Sequence, residues 1–458
     1  MRKKITRREF VGSAVAASAL AAGVSAKPAK GTRPPTKRPN VLYIMADDLG
    51  WGDLSSYGRP DYRTPNLDRL ASEGTRFTHA YSAAPVCTPT RCAFVTGRYP
   101  ARTPVGLEEP LSWRKQLVER RQDVGLAPEH PTVASLLKSA GYNTALVGKW
   151  HLGYLPKYSP VKSGFEEFFG IMSGGADHFT HKDANGEGDL FEMEVPVERV
   201  GYATDLITNR AVDFLKRRRD APFFLSLNYT APHWPWEGPR DEAVSRSLPK
   251  GYAGFTSGGS LKVYAEMMRS LDEGVGSVLR ALGDAGHARS TLVIFTSDNG
   301  GERFSYNWPF TGKKLDLYEG GIRVPAFARW PGVVPAGRTT EQPAVTMDWT
   351  ATILAAAGAR AHPDYPLDGE DLLPLMRGER APFERALFWR TEAQAAARIG
   401  RWKYLKVDDE PERLFDLLAD EHEQADSRAA RPEIFERLRA EYLKWDAQVL
   451  KRPERATN

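Results

Sequence analysis

Residues 40–50 read NVLYIMADDLG. The run Val41–Met45 is apolar without the in–out alternation of a half-buried strand, and Asp47 and Asp48 follow it. A strand apolar on both sides is buried on both sides, as in a parallel sheet covered by helices. Thr144–Val147, Phe223–Leu227 and Leu292–Thr296 repeat the pattern. Between them, apolar residues recur at helical spacing. Val133, Leu136, Leu137 and Ala140 form one such set, stopped by Gly141. Leu206, Ile207, Ala211, Phe214 and Leu215 form a second, and Tyr264, Met267, Met268, Leu271, Val275, Val278 and Leu282 a third. Strands alternating with amphipathic helices predict an α/β fold, a mostly parallel sheet sandwiched by helices.

Outward from this core, the character changes after about residue 375. Arg398–Lys406 alternates around a bend at Gly400-Arg401, and Ile434, Leu438, Tyr442 and Trp445 mark a helix over Pro432–Leu450. The expected organisation is a catalytic domain over 40–375 and a smaller C-terminal α+β domain over 376–458. At the other end, residues 27–39 (KPAKGTRPPTKRP) read as a linker. Residues 1–26 carry Arg7-Arg8, an uncharged run from Phe10 and the small-residue triplet Val24-Ser25-Ala26. They read as a twin-arginine signal peptide cleaved after Ala26, with a retained membrane anchor as the alternative. No later run is long and apolar enough to span a bilayer, so no stable membrane insertion is expected.

The 458 residues, 41% apolar and 26% charged, exclude a disordered chain. A net charge of +5 invites a nucleic-acid partner. Five basic residues and one acidic residue lie in the first 26, so the remainder is nearly neutral and no nucleic acid is expected. The two cysteines, Cys87 and Cys92, are close enough in sequence for a disulfide in an exported protein.

Ligands of open α/β sheets sit beyond the carboxyl ends of the strands. There the four runs lead to Asp47-Asp48, to Lys149 and His151, to His233-Trp234, and to Asp298-Asn299. Asp47, Asp48, Asp298 and Asn299 offer hard oxygens, which suit Ca²⁺ or Mg²⁺. Arg91, Lys149, His151, His233 and Lys314 add positive charge and proton carriers, a mixture suited to an anionic oxyester. Pro89 fits the first turn of a helix whose N–H groups attract anions. Cys87 beside that end reads either as reactive or as a small buried residue.

Cys87-Thr88-Pro89-Thr90-Arg91 with Thr96-Gly97-Arg98 resembles the sulfatase signature C-x-P-x-R…T-G-R. Gly148-Lys149-Trp150-His151-Leu152-Gly153, Pro232-His233-Trp234-Pro235, Ser297-Asp298-Asn299-Gly300-Gly301 and Glu319-Gly320-Gly321-Ile322-Arg323 are similar to further blocks of that family. The resemblance covers residues 38–425. It implies an alkaline-phosphatase-like fold and hydrolysis of sulfate monoesters through a formylglycine made from Cys87 by a separate maturation enzyme. It also implies a bound Ca²⁺, with Mg²⁺ the lesser choice, held by Asp47, Asp48, Asp298, Asn299 and the converted residue 87. Arg91 is then expected to hold residue 87, Lys149 and Lys314 to contact sulfate, His233 to protonate the leaving alcohol and His151 to accept a proton. A disulfide between Cys92 and Cys87 would block maturation.

Residues 174–181 (GGADHFTH), with Asp177 and His178, and Trp234 are expected to line the pocket for the alcohol, a sugar by their polar and aromatic character. Export suits a periplasmic or secreted enzyme acting on sulfated glycans. The alternatives are a phosphonate or phosphate ester hydrolase on the same scaffold and a silent sulfated-glycan binding protein.

Overall fold

The computed structural model describes residues 38–109, 111 and 123–452. The expected signal peptide and residues 27–37 of the expected linker lie outside them. Strand β1 (Asn40–Ala46) explains its own sequence. Val41, Tyr43 and Met45 join one apolar layer, and Leu42, Ile44 and Ala46 join the opposite one. With both faces in contact with protein, neither could be polar, and alternation is absent. Each such aliphatic side chain contributes about 1.5–3 kcal/mol by leaving water.

The remaining strands of the body are β2 (Thr75–Phe77), β3 (Ala80–Tyr81), β4 (Asn143–Gly148), β5 (Glu167–Ile171), β6 (Leu190–Glu192), β7 (Val195–Pro196), β8 (Phe223–Asn228), β9 (Thr291–Ser297), β10 (Ala326–Arg329), β11 (Arg338–Thr340) and β12 (Ala344–Val345). Nine of them join β1 in one ten-stranded sheet in the order β11–β2–β10–β9–β1–β8–β4–β5–β6–β7. The stretch from β9 to β5 is parallel throughout. Antiparallel pairs flank it: β10 on β9 and β2 at one side, β6 and β7 at the other.

Helices α1 (Pro65–Ser72), α2 (Cys87–Thr96), α3 (Val133–Ser139), α4 (Ala203–Lys216), α5 (Leu261–Asp284) and α6 (Thr346–Ala357) cover the sheet. Leu67, Ile207, Phe214, Met267 and Leu271 bring α1, α4 and α5 onto one face. Phe94, Val133, Leu137, Trp349 and Ile353 bring α2, α3 and α6 onto the other. Local signals set the ends: Thr132 and Ser135 form a reciprocal cap on α3, and Ser260 caps α5 by accepting from the Val263 N–H.

Beyond the body, β13 (Ala386–Arg390), β14 (Gln394–Ile399), β15 (Trp402–Val407) and β16 (Arg413–Asp416) form an antiparallel sheet. Helix α7 (Pro432–Asp446) packs Phe435, Leu438, Tyr442 and Trp445 against it, ending short of the expected Leu450. This small sheet shares its apolar core with Tyr81, Ala93, Leu317, Ile322 and Met347 of the body. A buried ion cluster lies across the same seam. Lys403 Nζ stands 3.0 Å from Glu319 Oε1 and 2.7 Å from Glu423 Oε1, and the Tyr81 hydroxyl donates to Glu319 Oε2 at 2.6 Å. Described residues from 38 onward belong to a single compact unit. No helix among them is long and apolar enough to cross a membrane.

Candidate active site

Because β9, β1, β8 and β4 are neighbours and parallel, the polar clusters behind them open on one edge of the sheet. Asp47 and Asp48 follow β1, Asp298 and Asn299 follow β9, Lys149 follows β4, and His233 lies five residues beyond β8. Helix α2 begins at Cys87, so the thiol occupies the N-terminal turn, with Arg91 one turn on. Asp48 and His151 both adopt positive φ, +62° and +55°. Non-glycine residues rarely do so, and such strain concentrates at functional sites.

Each carboxylate is matched to a cation. Lys149 Nζ lies 2.6 Å from Asp47 Oδ2, Lys314 Nζ 2.8 Å from Asp48 Oδ2, and Arg91 donates to Asp298 Oδ2 at 2.8 and 3.1 Å. Arg91 also donates to the Lys149 carbonyl at 3.1 Å, which ties α2 to the end of β4. Asp298 Oδ1 accepts from the Asp48 N–H at 3.1 Å, and the Asn299 amide donates to Asp48 Oδ1 at 2.7 Å. The expected oxygen ligands are therefore brought together, all buried.

Whether these residues suit a cation can be read from what they leave over. Among the described residues nothing donates to the buried Asp47 Oδ1 or Asn299 Oδ1, although Arg91 stands 3.7 Å from the former. Buried oxygens without a donor are costly, and a cation would satisfy them. Asp47, Asp48 and His233 each offer a ligand atom, all within 4.8 Å of one another. Burial and then the neighbouring Asp47 push the Asp298 carboxyl up to about 7. For Asp48, burial acts upward but the charge and hydrogen bond of Lys314 outweigh it and hold the group at about 2. The donor set fits a hard divalent ion.

The histidines are neutral and oriented. Burial, then Lys149, holds His151 well below its usual range, and burial, then Lys314, does the same for His233. His151 Nε2 lies 2.9 Å from the Leu111 carbonyl, so Nε2 carries the proton and Nδ1, buried without a partner, carries the lone pair. His233 Nδ1 lies 2.7 Å from the Trp234 carbonyl, so its proton-free Nε2 faces Asp48 Oδ2 at 3.6 Å. The backbone of Ser173–Gly175 lies against both rings. A Cβ at Gly174 would come 2.7 Å from His151, and one at Gly175 would come 2.9 Å from His233. Asp189 pins this segment by accepting from Met172 N, Ser173 N and Ser173 Oγ at 3.2, 3.1 and 2.5 Å.

Cys87 and Cys92 are free thiols, both buried. Burial pushes the Cys87 thiol up, with Lys149 and Lys314 pulling it back. Cys92 faces the apolar layer of α2 and contacts Thr103 Oγ1 at 2.9 Å. The residues expected to meet the alcohol are distributed unevenly. Trp234 packs against His233 with the rings tilted by 43° and centroids 4.1 Å apart, and Lys314 Nζ lies 5.8 Å from its ring. Asp177 accepts from Phe179 N, Thr180 N and Ser245 Oγ, and His178 contacts the His233 carbonyl at 3.3 Å and stacks on Tyr202. Both are buried and engaged within the protein. Sequence reasoning passed over Asp189 and also Glu302, whose Oε2 is buried without a partner and whose carboxyl is raised by burial and by Asp48. Glu302 lies three residues beyond Asn299, and that spacing was the available signal.

The sulfatase family model matches residues 39–359. The chain belongs to the sulfatase family. This sulfatase is 37% identical over 388 residues to N-acetylgalactosamine-6-sulfatase of Homo sapiens, an alignment covering 80% of this chain and 71% of that one. It is 31% identical over 431 residues to the steryl-sulfatase of Homo sapiens, covering 75% and 70%. The crystal structure of Ps i-CgsB in complex with k-i-k-neocarrahexaose is similar with a TM-score of 0.80 at 32% identity, covering 91% of this chain and 94% of that one. The phosphonate monoester hydrolase of Agrobacterium radiobacter shares the fold, with a TM-score of 0.63 at 22% identity over 90% and 96%. The expected alkaline-phosphatase-like sandwich with a small antiparallel C-terminal sheet is the observed architecture. As a sulfatase the protein hydrolyses sulfate esters.

Proposed function

We propose that this sulfatase removes sulfate from carbohydrate substrates with a formylglycine made from Cys87, beside a Ca²⁺ ion held by Asp47, Asp48, Asp298 and Asn299. The observation that carries the reading is the junction of α2 with the sheet edge. There Cys87 stands within the field of Lys149, Lys314, Asp47 and Asp298. Carbohydrate is favoured because the identity to N-acetylgalactosamine-6-sulfatase, 37%, exceeds the 31% to steryl-sulfatase, and the neocarrahexaose-bound Ps i-CgsB is similar over 91% of this chain.

Once formed, formylglycine supplies a hydrated aldehyde as nucleophile, and a bound divalent cation supplies Lewis acidity. The chain's own residues do the rest. Arg91, Lys149 and Lys314 gather positive charge where a sulfate anion must sit, lowering the repulsion that protects it from attack. His151 Nδ1, with its lone pair free, accepts a proton. His233 must gain a proton at Nε2 before it can act as an acid. An arriving sulfate anion favours that gain, by opposing the charge of Lys314. His233 then gives this proton to the leaving alcohol. Trp234 supplies an apolar wall beside it, and Asp177 and His178 act on the sugar pocket through the backbone they hold.

In this reading residues 40–375 are the catalytic domain and 376–458 the C-terminal domain. Arg7-Arg8 and the following uncharged run support export by the twin-arginine route to the periplasm, after conversion of Cys87 by a maturation enzyme. The test pairs two measurements on one purified sample. Mass spectrometry of the peptide holding residue 87 should give the loss expected when a thiol becomes an aldehyde. Turnover of N-acetylgalactosamine 6-sulfate should exceed that of an aryl phosphonate ester. Active protein retaining a Cys87 thiol, or phosphonate as the better substrate, would overturn it.

A further inference from the structure

Gln394 opens β14, at the tip of the hairpin that joins it to β13. The turn before it is fixed by Thr391, whose Oγ1 accepts from Ala393 N at 3.2 Å and Gln394 N at 2.9 Å. From this tip the Gln394 side chain leaves the small sheet and reaches the segment following Lys314. Its Oε1 accepts from Leu317 N at 2.8 Å, and its Nε2 donates to the Leu315 carbonyl at 2.8 Å. The other side of that segment is tied to the site. Lys314 N donates to the Gly301 carbonyl at 3.1 Å, and Leu315 N donates to the Pro85 carbonyl at 2.8 Å, two residues ahead of Cys87.

The clasp has a physical purpose. Leu315 holds φ at +79°, a conformation that a branched residue keeps only when its surroundings enforce it. More than half of the Leu315 surface is exposed, so core packing does not enforce it. Hydrogen bonds on both sides of the turn do. Lys314 has a long flexible stem, and its ammonium keeps a fixed place at Asp48 only if its backbone is held.

We propose that Gln394 is a positioning residue for Lys314, through which the C-terminal sheet sets the ammonium against the sulfate. The proposal rests on the reading of Lys314 as a sulfate contact. The Gln394 side chain is engaged with the backbone of Leu315 and Leu317. It acts by denying the 315–317 turn its relaxed conformations.

The test is a double-mutant cycle on protein whose residue 87 has been verified as converted. Gln394→Met keeps the length of the stem and removes both hydrogen bonds, and Lys314→Met removes the ammonium. The readouts are the inhibition constant of inorganic sulfate, KM and kcat for an aryl sulfate, and Tm. Gln394→Met should weaken sulfate inhibition and raise KM roughly five- to tenfold, and should add nothing in the Lys314→Met background. Equal weakening in both backgrounds would overturn the proposal, as would unchanged inhibition in Gln394→Met alongside weakened inhibition in Lys314→Met. Unchanged sulfate inhibition in Lys314→Met would instead overturn the reading of Lys314 itself, and the proposal with it. If Gln394→Met does not accumulate, Gln394→Glu serves in the same cycle, since it keeps the acceptor for Leu317 N and loses the donor to Leu315.

Discussion

Replacing Lys149 by Met tests the electrostatic logic of the site at its most buried point. Lys149 and Asp47 are both fully buried, 2.6 Å apart. Removing the ammonium leaves Arg91, at 3.7 Å, as the remaining ion-pair partner of the Asp47 carboxylate among the described residues. Breaking a buried pair by deleting one partner costs about 3–5 kcal/mol, because the surviving charge stays desolvated. For a chain of this length each kcal/mol moves Tm by about 1 °C. In chelator, Lys149→Met should therefore melt about 3–5 °C below the parent. In excess Ca²⁺ the gap should shrink to about half or less, since an ion on Asp47 Oδ1 takes over the neutralisation. Aryl sulfatase activity should stay low in both conditions if Lys149 contacts sulfate as proposed, because the ion replaces the charge without replacing that contact. Differential scanning calorimetry of both proteins with and without Ca²⁺ measures each number. A gap that is the same with and without the ion would refute the reasoning that ion and lysine share one carboxylate.

Two further outcomes follow from other parts of the site. His233→Ala should slow hydrolysis of sugar sulfates far more than of nitrophenyl sulfate, because only the sugar alkoxide needs a proton to leave; equal losses on both substrates count against the acid role. Burial, reinforced by Asp183, raises the Asp189 carboxyl to about 7 against the hydrogen bonds from Ser173 and Met172. Folded protein thus holds a proton that unfolded chain releases, and stability falls as pH rises from about 4 to 7. Asp189→Asn stays neutral, so its stability should gain on the parent across that window by an amount on the order of 4 kcal/mol, read as a relative rise in Tm of about 4 °C; parallel Tm profiles would show that Asp189 does not titrate there.

The centre of the fold was legible because burial on both faces writes itself as an uninterrupted apolar run. Each of the four runs became a strand within a residue or two of its expected ends. The site was legible for a related reason: strands parallel in one sheet must deliver their following residues to one edge. The flanking strands were not legible. β6, β7 and β10 are three residues, two and four, too short to carry a period. Nor does a sequence carry the orientation of a ring. The Trp234 carbonyl decides that neutral His233 presents Nε2 as a lone pair, and that fact separates a ready acid from one that must first be charged. Asp177 and His178 drew notice as polar residues among aromatics, but the partners that bury them come from Ser245 and Tyr202. Gln394 gave no signal at all, since one polar residue at the start of a strand is unremarkable until its side chain is seen to reach another segment.

The seam between body and small sheet bears on how this enzyme can be cut or rebuilt. A chain stopped near residue 375 would uncover Tyr81, Leu317, Ile322 and Met347 to water and strip Glu319 of its lysine. The product would be a sticky, charge-starved remnant, and it would also lack the strand that carries Gln394. Deletion libraries should therefore yield no minimal fragment, and recombination with a relative should succeed when the 319–323 segment and the small sheet travel together as one heritable block.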